Sequence, residues 1–144
     1  MSNTLSSVTF PVRYAETDQM GVVYHANYLV WCEIGRTKLI EDIGFRYADM
    51  EKEGVMSPVT KINLNYLRPA TYGQDVTVKT RIINYTGVRV TYSYEIYADQ
   101  VLLVTGESEH VCVDAKTFKP IQMKKRFPLW DKAYRNHLSS VPFS

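Results

Sequence analysis

The stretch "RYAETDQMGVVYHANYLVW", residues 13–31, places Tyr14, Asp18 and His25 ahead of a segment that turns almost wholly apolar. A carboxylate at Asp18 can attack an acyl carbonyl, or take a proton from a water that attacks it. His25 falls where a helix would begin, and a helix N-terminus offers unpaired N–H groups and the positive end of the macrodipole. Such donors stabilise charge developing on a carbonyl oxygen, which is the chemistry of an oxyanion hole. Tyr14, four residues before Asp18, is placed to orient it, and Gly21 permits a tight loop between Asp18 and His25. Each residue also has a plain structural reading: Asp18 as a cap or loop residue satisfying backbone donors, His25 as a surface or capping histidine. Their joint occurrence before a buried helix favours a catalytic entrance.

The elements that must hold these groups follow from hydrophobic period. Residues 8–14 read as a first strand, with Pro11 at an edge or bulge. Residues 27–43 read as the main helix, apolar on every side from Tyr28 to Trp31 and amphipathic beyond, with Leu39, Ile40 and Ile43 on the apolar side. Gly35 inside it implies close approach of another backbone, and Gly44 suits a left-handed cap. Glu33 and Arg36, at i,i+3 spacing, are expected to form a local ion pair. A short helix follows at about 46–53.

From residue 58 the period becomes two. Thr60, Ile62, Leu64 and Tyr66 alternate with polar residues, giving a half-buried strand. Further strands cover 76–82, 88–96 and 101–113, separated by the turns "NYTG" and "ADQ". Short turns between long strands make an antiparallel meander that twists and curls. Pro128 opens a last helix carrying Leu129, Trp130, Ala133, Tyr134 and Leu138. The fold class is therefore α+β, a long curved antiparallel sheet wrapped around one buried helix, with a short C-terminal helix.

Bulk properties exclude several functions. The chain has 144 residues, a length suited to one domain, 1–144, with 45% hydrophobic and 22% charged residues. A net charge of +2 makes nucleic acid an unsuitable default partner. Seven Lys/Arg lie between Lys116 and Arg135 against Asp131 alone, a solvated face or a seat for an anionic ligand tail. Cys32 and Cys112 sit among apolar neighbours without a metal-binding or disulfide spacing, which suits a reducing cytoplasm. Neither a signal peptide nor a membrane-spanning segment is expected. Cys32 cannot pair with His25 as a nucleophile: seven residues along one helix place them about 10 Å apart. His110 and His137 show no partners in the sequence, and no phosphate-binding loop occurs.

"YAETDQMGVVYHANY", residues 14–28, closely resembles the signature of the hotdog-fold acyl-CoA thioesterases of the 4-hydroxybenzoyl-CoA thioesterase family, nearest its bacterial short-chain acyl-CoA branch. The likeness continues through Glu33-x-x-Arg36 and "LNYLRPA" at 64–70 and covers most of the chain. The resemblance implies hydrolysis of an acyl-CoA to free acid and CoA, without metal or organic cofactor. It places the catalytic carboxylate on Asp18 as nucleophile or general base, the carbonyl-polarising N–H on His25, and an assisting role on Tyr14. Val59, Thr60 and Lys61 match a segment that passes beside the thioester, and Arg89 a turn near the pantetheine and phosphates. It further implies homodimers or homotetramers, with sheets joined edge to edge and sites at the subunit junction. The competing functions are a non-catalytic acyl-CoA-binding or regulatory module, a thioesterase served by acyl carrier protein, and a hotdog dehydratase. The last would need a second His with an acidic partner, and none is visible.

Overall fold

A computed structural model describes residues 5–138; the ends of the expected domain, 1–4 and 139–144, lie outside the described residues. In chain order the elements are β1 (Ser6–Pro11), a 3-10 turn (Tyr14–Glu16), α1 (Asn27–Asp42), α2 (Tyr47–Lys52), β2 (Val55–Met56), β3 (Val59–Tyr66), β4 (Asp75–Tyr85), β5 (Arg89–Ala98), β6 (Val101–Val111), β7 (Val113–Asp114), α3 (Met123–Arg126) and α4 (Pro128–Asn136). β1, β4, β5, β6 and β3, in that order, form one antiparallel sheet, and β2 pairs with β7. The β5–β6 hairpin turns on Asp99 and Gln100, both at positive φ, as a two-residue turn matched to strand twist requires.

α1 packs against the concave face of this sheet. Trp31, Leu39 and Ile40 are buried there with Val76, Val78, Ile82, Tyr92, Tyr94 and Ile96. Gly35 makes the close fit possible. A Cβ at that position would come within 2.6 Å of both Thr80 Oγ1 and Val78 Cγ1, so the tight approach is to side chains of β4 and not to a backbone. Gly44, at φ +101°, ends the helix in the left-handed region as expected.

Several boundaries and burials differ from expectation. β1 begins and ends earlier than 8–14, because Tyr14–Glu16 turn into a 3-10 coil. β6 stops at Val111, and the chain then passes into β7 to cover β2. β3 is an edge strand paired only to β6, so Ile62 and Tyr66 stay exposed where a half-buried strand was expected. The first turn of α1 is not buried all round, since Leu29 and Val30 are 36% and 43% exposed. Arg36 does not pair with Glu33. Its guanidinium turns inward to Tyr47 Oη (3.2 Å) and Tyr94 Oη (3.3 Å).

That inward turn belongs to a buried polar chain. Tyr94 Oη meets Ser108 Oγ at 2.6 Å, Ser108 Oγ meets His110 Nε2 at 2.9 Å, and His110 Nδ1 meets the Ser57 carbonyl at 3.3 Å. A carbonyl only accepts, so Nδ1 carries the proton; Nε2 then accepts from Ser108, and Ser108 from Tyr94. His110, which has no apparent partner in the sequence, is thus fully buried, bonded and neutral. Burial, with the nearby Arg36 charge, pushes its pKa down from 6.5 to about 4.

The sign of the resulting pH dependence is fixed. The unfolded histidine binds a proton that the folded one refuses, so its stabilisation is complete above pH 6.5 and is lost as pH falls from 6.5 towards 4. The gap is worth about 3 kcal/mol. Urea titrations across pH 7.5 to 4 should show that loss, and His110→Asn should flatten it; equal slopes in the two proteins would contradict the assignment.

Candidate active site

The residues before α1 form a narrow hairpin. Thr17 pairs with Val23, Asp18 N–H donates to the Val22 carbonyl (2.8 Å), and Tyr24 N–H donates to the Glu16 carbonyl (2.9 Å). Gly21, at φ +81°, makes the return at the tip. The segment after β3 fixes the outer leg: Val23 N–H donates to the Ala70 carbonyl (2.9 Å), and Ala70 N–H donates to Tyr28 Oη (2.9 Å). Asp18 and His25 therefore stand on opposite legs of one hairpin that feeds directly into the helix.

Glu16 anchors this hairpin to the core. Its carboxylate is buried and accepts from the Arg13 backbone N–H (2.8 Å), the Trp31 indole N–H (2.9 Å) and the Arg13 guanidinium (3.1 Å). Its backbone carbonyl also accepts from Asn27 Nδ2 (2.9 Å) at the first residue of α1. Burial alone would raise the Glu16 pKa, but the donors from Arg13 and Trp31 outweigh it and hold the pKa below its ordinary value of 4.5. Sequence reasoning missed this residue. It lies inside the quoted motif, yet nothing in its spacing separates a buried carboxylate that holds the loop from an exposed one that reacts.

Asp18 is half-buried, and its Oδ1 accepts the Met20 N–H at 2.8 Å. Its Oδ2 has no protein partner among the described residues. His25 is exposed, its ring lying against Tyr24 (centroids 4.5 Å apart) and edge-on to Tyr66 (6.4 Å). The Tyr66 hydroxyl donates to the His25 carbonyl at 3.3 Å, fixing the orientation of that peptide. The turn that starts α1 uses the N–H groups of Asn27, Tyr28 and Leu29, whereas those of His25 and Ala26 are not among its donors. No side chain caps α1. Tyr14 is 76% exposed and packs its ring on Tyr72 (5.6 Å), with no hydrogen bond to Asp18. A pocket of about 270 Å³ opens here, lined by His25, Tyr28, Tyr66 and Arg68 among others.

The remaining expected residues sit elsewhere. Thr60 Oγ1 donates to Glu109 Oε2 (2.9 Å), which Arg89 approaches at 3.7 Å, so Glu109 ties those two together. Lys61 pairs with Glu109 across the strands, and Val59 with His110. This cluster occupies the start of β3, whereas Tyr66, which touches His25, is at its end. At about 3.4 Å per residue the two ends are about 20 Å apart. One chain carries Asp18 and His25 on one hairpin, with Asp18 nearer its tip and outside the lining of the pocket beside His25, and separately gathers Thr60 and Arg89, but does not join the two groups.

Burial pushes the Cys32 thiol up to about 12 and the Cys112 thiol to about 11, so both are inert core groups. Among the described residues, no three His, Cys, Asp or Glu side chains gather as a metal-ligand set. No described helix is long and apolar enough to cross a membrane.

Residues 12–132 match the thioesterase-like superfamily. The chain is 54% identical over 131 residues to the Bacillus subtilis protein YneP, covering 90% of this chain and 95% of that one. It is 32% identical over 126 residues to the acyl-CoA thioester hydrolase YbgC of Escherichia coli O6:H1, covering 87% and 94%. A DHNA-CoA thioesterase from Staphylococcus aureus superposes with a TM-score of 0.89 at 45% identity, covering 91% and 89%. The sheet, the helix it wraps and these likenesses agree: the chain belongs to the thioesterase-like superfamily and has its hotdog fold.

Proposed function

We propose that this single hotdog domain is an acyl-CoA thioesterase that hydrolyses the thioester to a free acid and CoA, with Asp18 as nucleophile or general base. One observation carries the reading. A carboxylate with a free oxygen is held on the same short hairpin as the uncapped N-terminus of α1. A thioester carbonyl oxygen directed at the His25 and Ala26 N–H groups would gain their hydrogen bonds and the positive end of the helix, in proportion to the charge it develops. Its carbon is then open to attack. As base, Asp18 takes a proton from water while hydroxide bonds to that carbon; collapse of the adduct expels the CoA thiolate, which is protonated. As nucleophile, Asp18 Oδ2 bonds to the carbon and expels the thiolate, and water then cleaves the mixed anhydride.

The separation of the two residue groups supports a homodimer, or a tetramer of such dimers. Two β3 edges pairing antiparallel would set the Tyr66 end of one chain beside the Val59–Lys61 and Arg89 end of the other. That arrangement also covers an exposed edge, which an isolated chain leaves open. Val59, Thr60 and Lys61 would then line the thioester, and Arg89 is a cation for the CoA phosphates.

A panel of aliphatic and aromatic acyl-CoAs, with free thiol as readout, tests the activity. Asp18→Asn should keep the fold and ligand affinity while losing about 10² or more in rate. His25→Ala should lose less, because its backbone donor remains. An Asp18→Asn protein with near-wild-type kcat refutes the assignment.

Mixing tests the shared site. Asp18→Asn and Arg89→Glu proteins, each inactive, should regain activity when co-refolded, since one of the two sites in each mixed dimer carries an intact pair of groups. Absence of rescue in a verified mixed dimer would place each site within one chain.

A further inference from the structure

A second pocket, of about 290 Å³, lies beside Arg36, Tyr47, Met50, Glu51, Val55 and Met56. Arg36 is nine residues into α1 from Asn27, about 14 Å from the helix mouth. Within one chain the pocket is therefore separate from Asp18 and His25, while Ser57 and Pro58 on its rim lead into Val59–Lys61.

Its feature is a cation without a counter-ion. Among the described residues Arg36 bonds to two phenol oxygens, Tyr47 Oη and Tyr94 Oη, and stands 6.0 Å from the Tyr92 ring centroid. No carboxylate lies within 4.0 Å of it among the described residues; the ion pairs there are Arg13–Glu16, Lys38–Asp42, Arg89–Glu109 and Arg135–Asp131. Arg36 is half-buried, so its guanidinium is partly withdrawn from water without an ionic partner, which carries a cost. Neutral phenols offset part of that cost and leave other N–H groups unused, since guanidinium has five. Tyr94 accepts from Arg36 and passes its own proton to Ser108, so it remains a neutral phenol that supplies no charge.

We propose that this pocket binds a small organic carboxylate. A carboxylate fits the remaining guanidinium edge with two parallel hydrogen bonds and supplies the missing charge. Met50, Val55 and Met56 provide apolar walls for a short alkyl or aromatic body, which an inorganic anion would leave uncovered. Glu51 lines the pocket from an exposed position and disfavours multiply charged ligands. A monoanion with an apolar body satisfies all three conditions.

Calorimetry with benzoate as the probe, and benzyl alcohol as its neutral counterpart, tests this on the intact protein. Benzoate should bind saturably and at least tenfold more tightly than benzyl alcohol. Arg36→Gln should weaken it at least tenfold, and Glu51→Gln should strengthen it. Met56→Trp, which fills the pocket at its partly exposed wall and leaves Arg36 in place, should also weaken it, so the test does not depend on Arg36→Gln folding. Three results would overturn the proposal. One is no saturable benzoate binding by wild type up to about 10 mM. Another is equal affinity for the alcohol. The third is benzoate binding unchanged by Met56→Trp, as expected of an anion seated at the helix mouth instead.

Discussion

The bond from the Trp31 indole to the buried Glu16 carboxylate is the constraint on which the site geometry depends. Trp31 is fixed in the core on the second turn of α1, so the carboxylate it meets is fixed too. Through the Glu16 backbone the constraint reaches Tyr24 and Asn27, which start the helix, and Thr17 with Asp18 follow one and two residues on. A buried carboxylate with three donors is expensive to leave unsatisfied and rigid when satisfied. Half-buried Asp18 and exposed His25 thereby inherit the order of the core without being buried in it.

The same economy explains why a single chain looks incomplete. The outer side of the first turn of α1 and the edge strand β3 carry apolar groups that nothing in one chain covers, among them Leu29, Val30, Val59, Ile62 and Tyr66. The residues expected to touch the rest of the substrate sit at the far end of that uncovered strand, about 20 Å from His25 by strand rise. Association of two copies through this edge, as proposed, would bury those groups and close the distance in one step.

Much of this was legible in the sequence where local period decides structure. The pattern in 76–82, 88–96 and 101–113 reports strands with one face on a helix, and β4, β5 and β6 are those strands, the last ending two residues earlier at Val111. Gly44 and Pro128 mark helix ends through their own backbone preferences, independent of neighbours. What was not legible depends on partners remote in sequence. Arg36 leaves Glu33 because two phenols, from α2 and β5, offer it acceptors inside the fold. Gly35 answers to Thr80 and Val78, and Glu16 to a tryptophan fifteen residues away. Tyr28 to Trp31 reads as buried all round in composition alone, but one chain covers only part of that turn.

In the proposed site Glu16 acts through position, holding Asp18 and the helix mouth in register without touching substrate. Steady-state kinetics of Glu16→Gln, with melting temperature measured in parallel, test it most directly. The amide turns one acceptor into a donor facing a donor, which should cost about 1–3 kcal/mol of stability. The expected result is a folded protein whose kcat falls tenfold or more while KM changes little, because the binding surface survives and the alignment does not. A folded Glu16→Gln protein with wild-type kcat would contradict it.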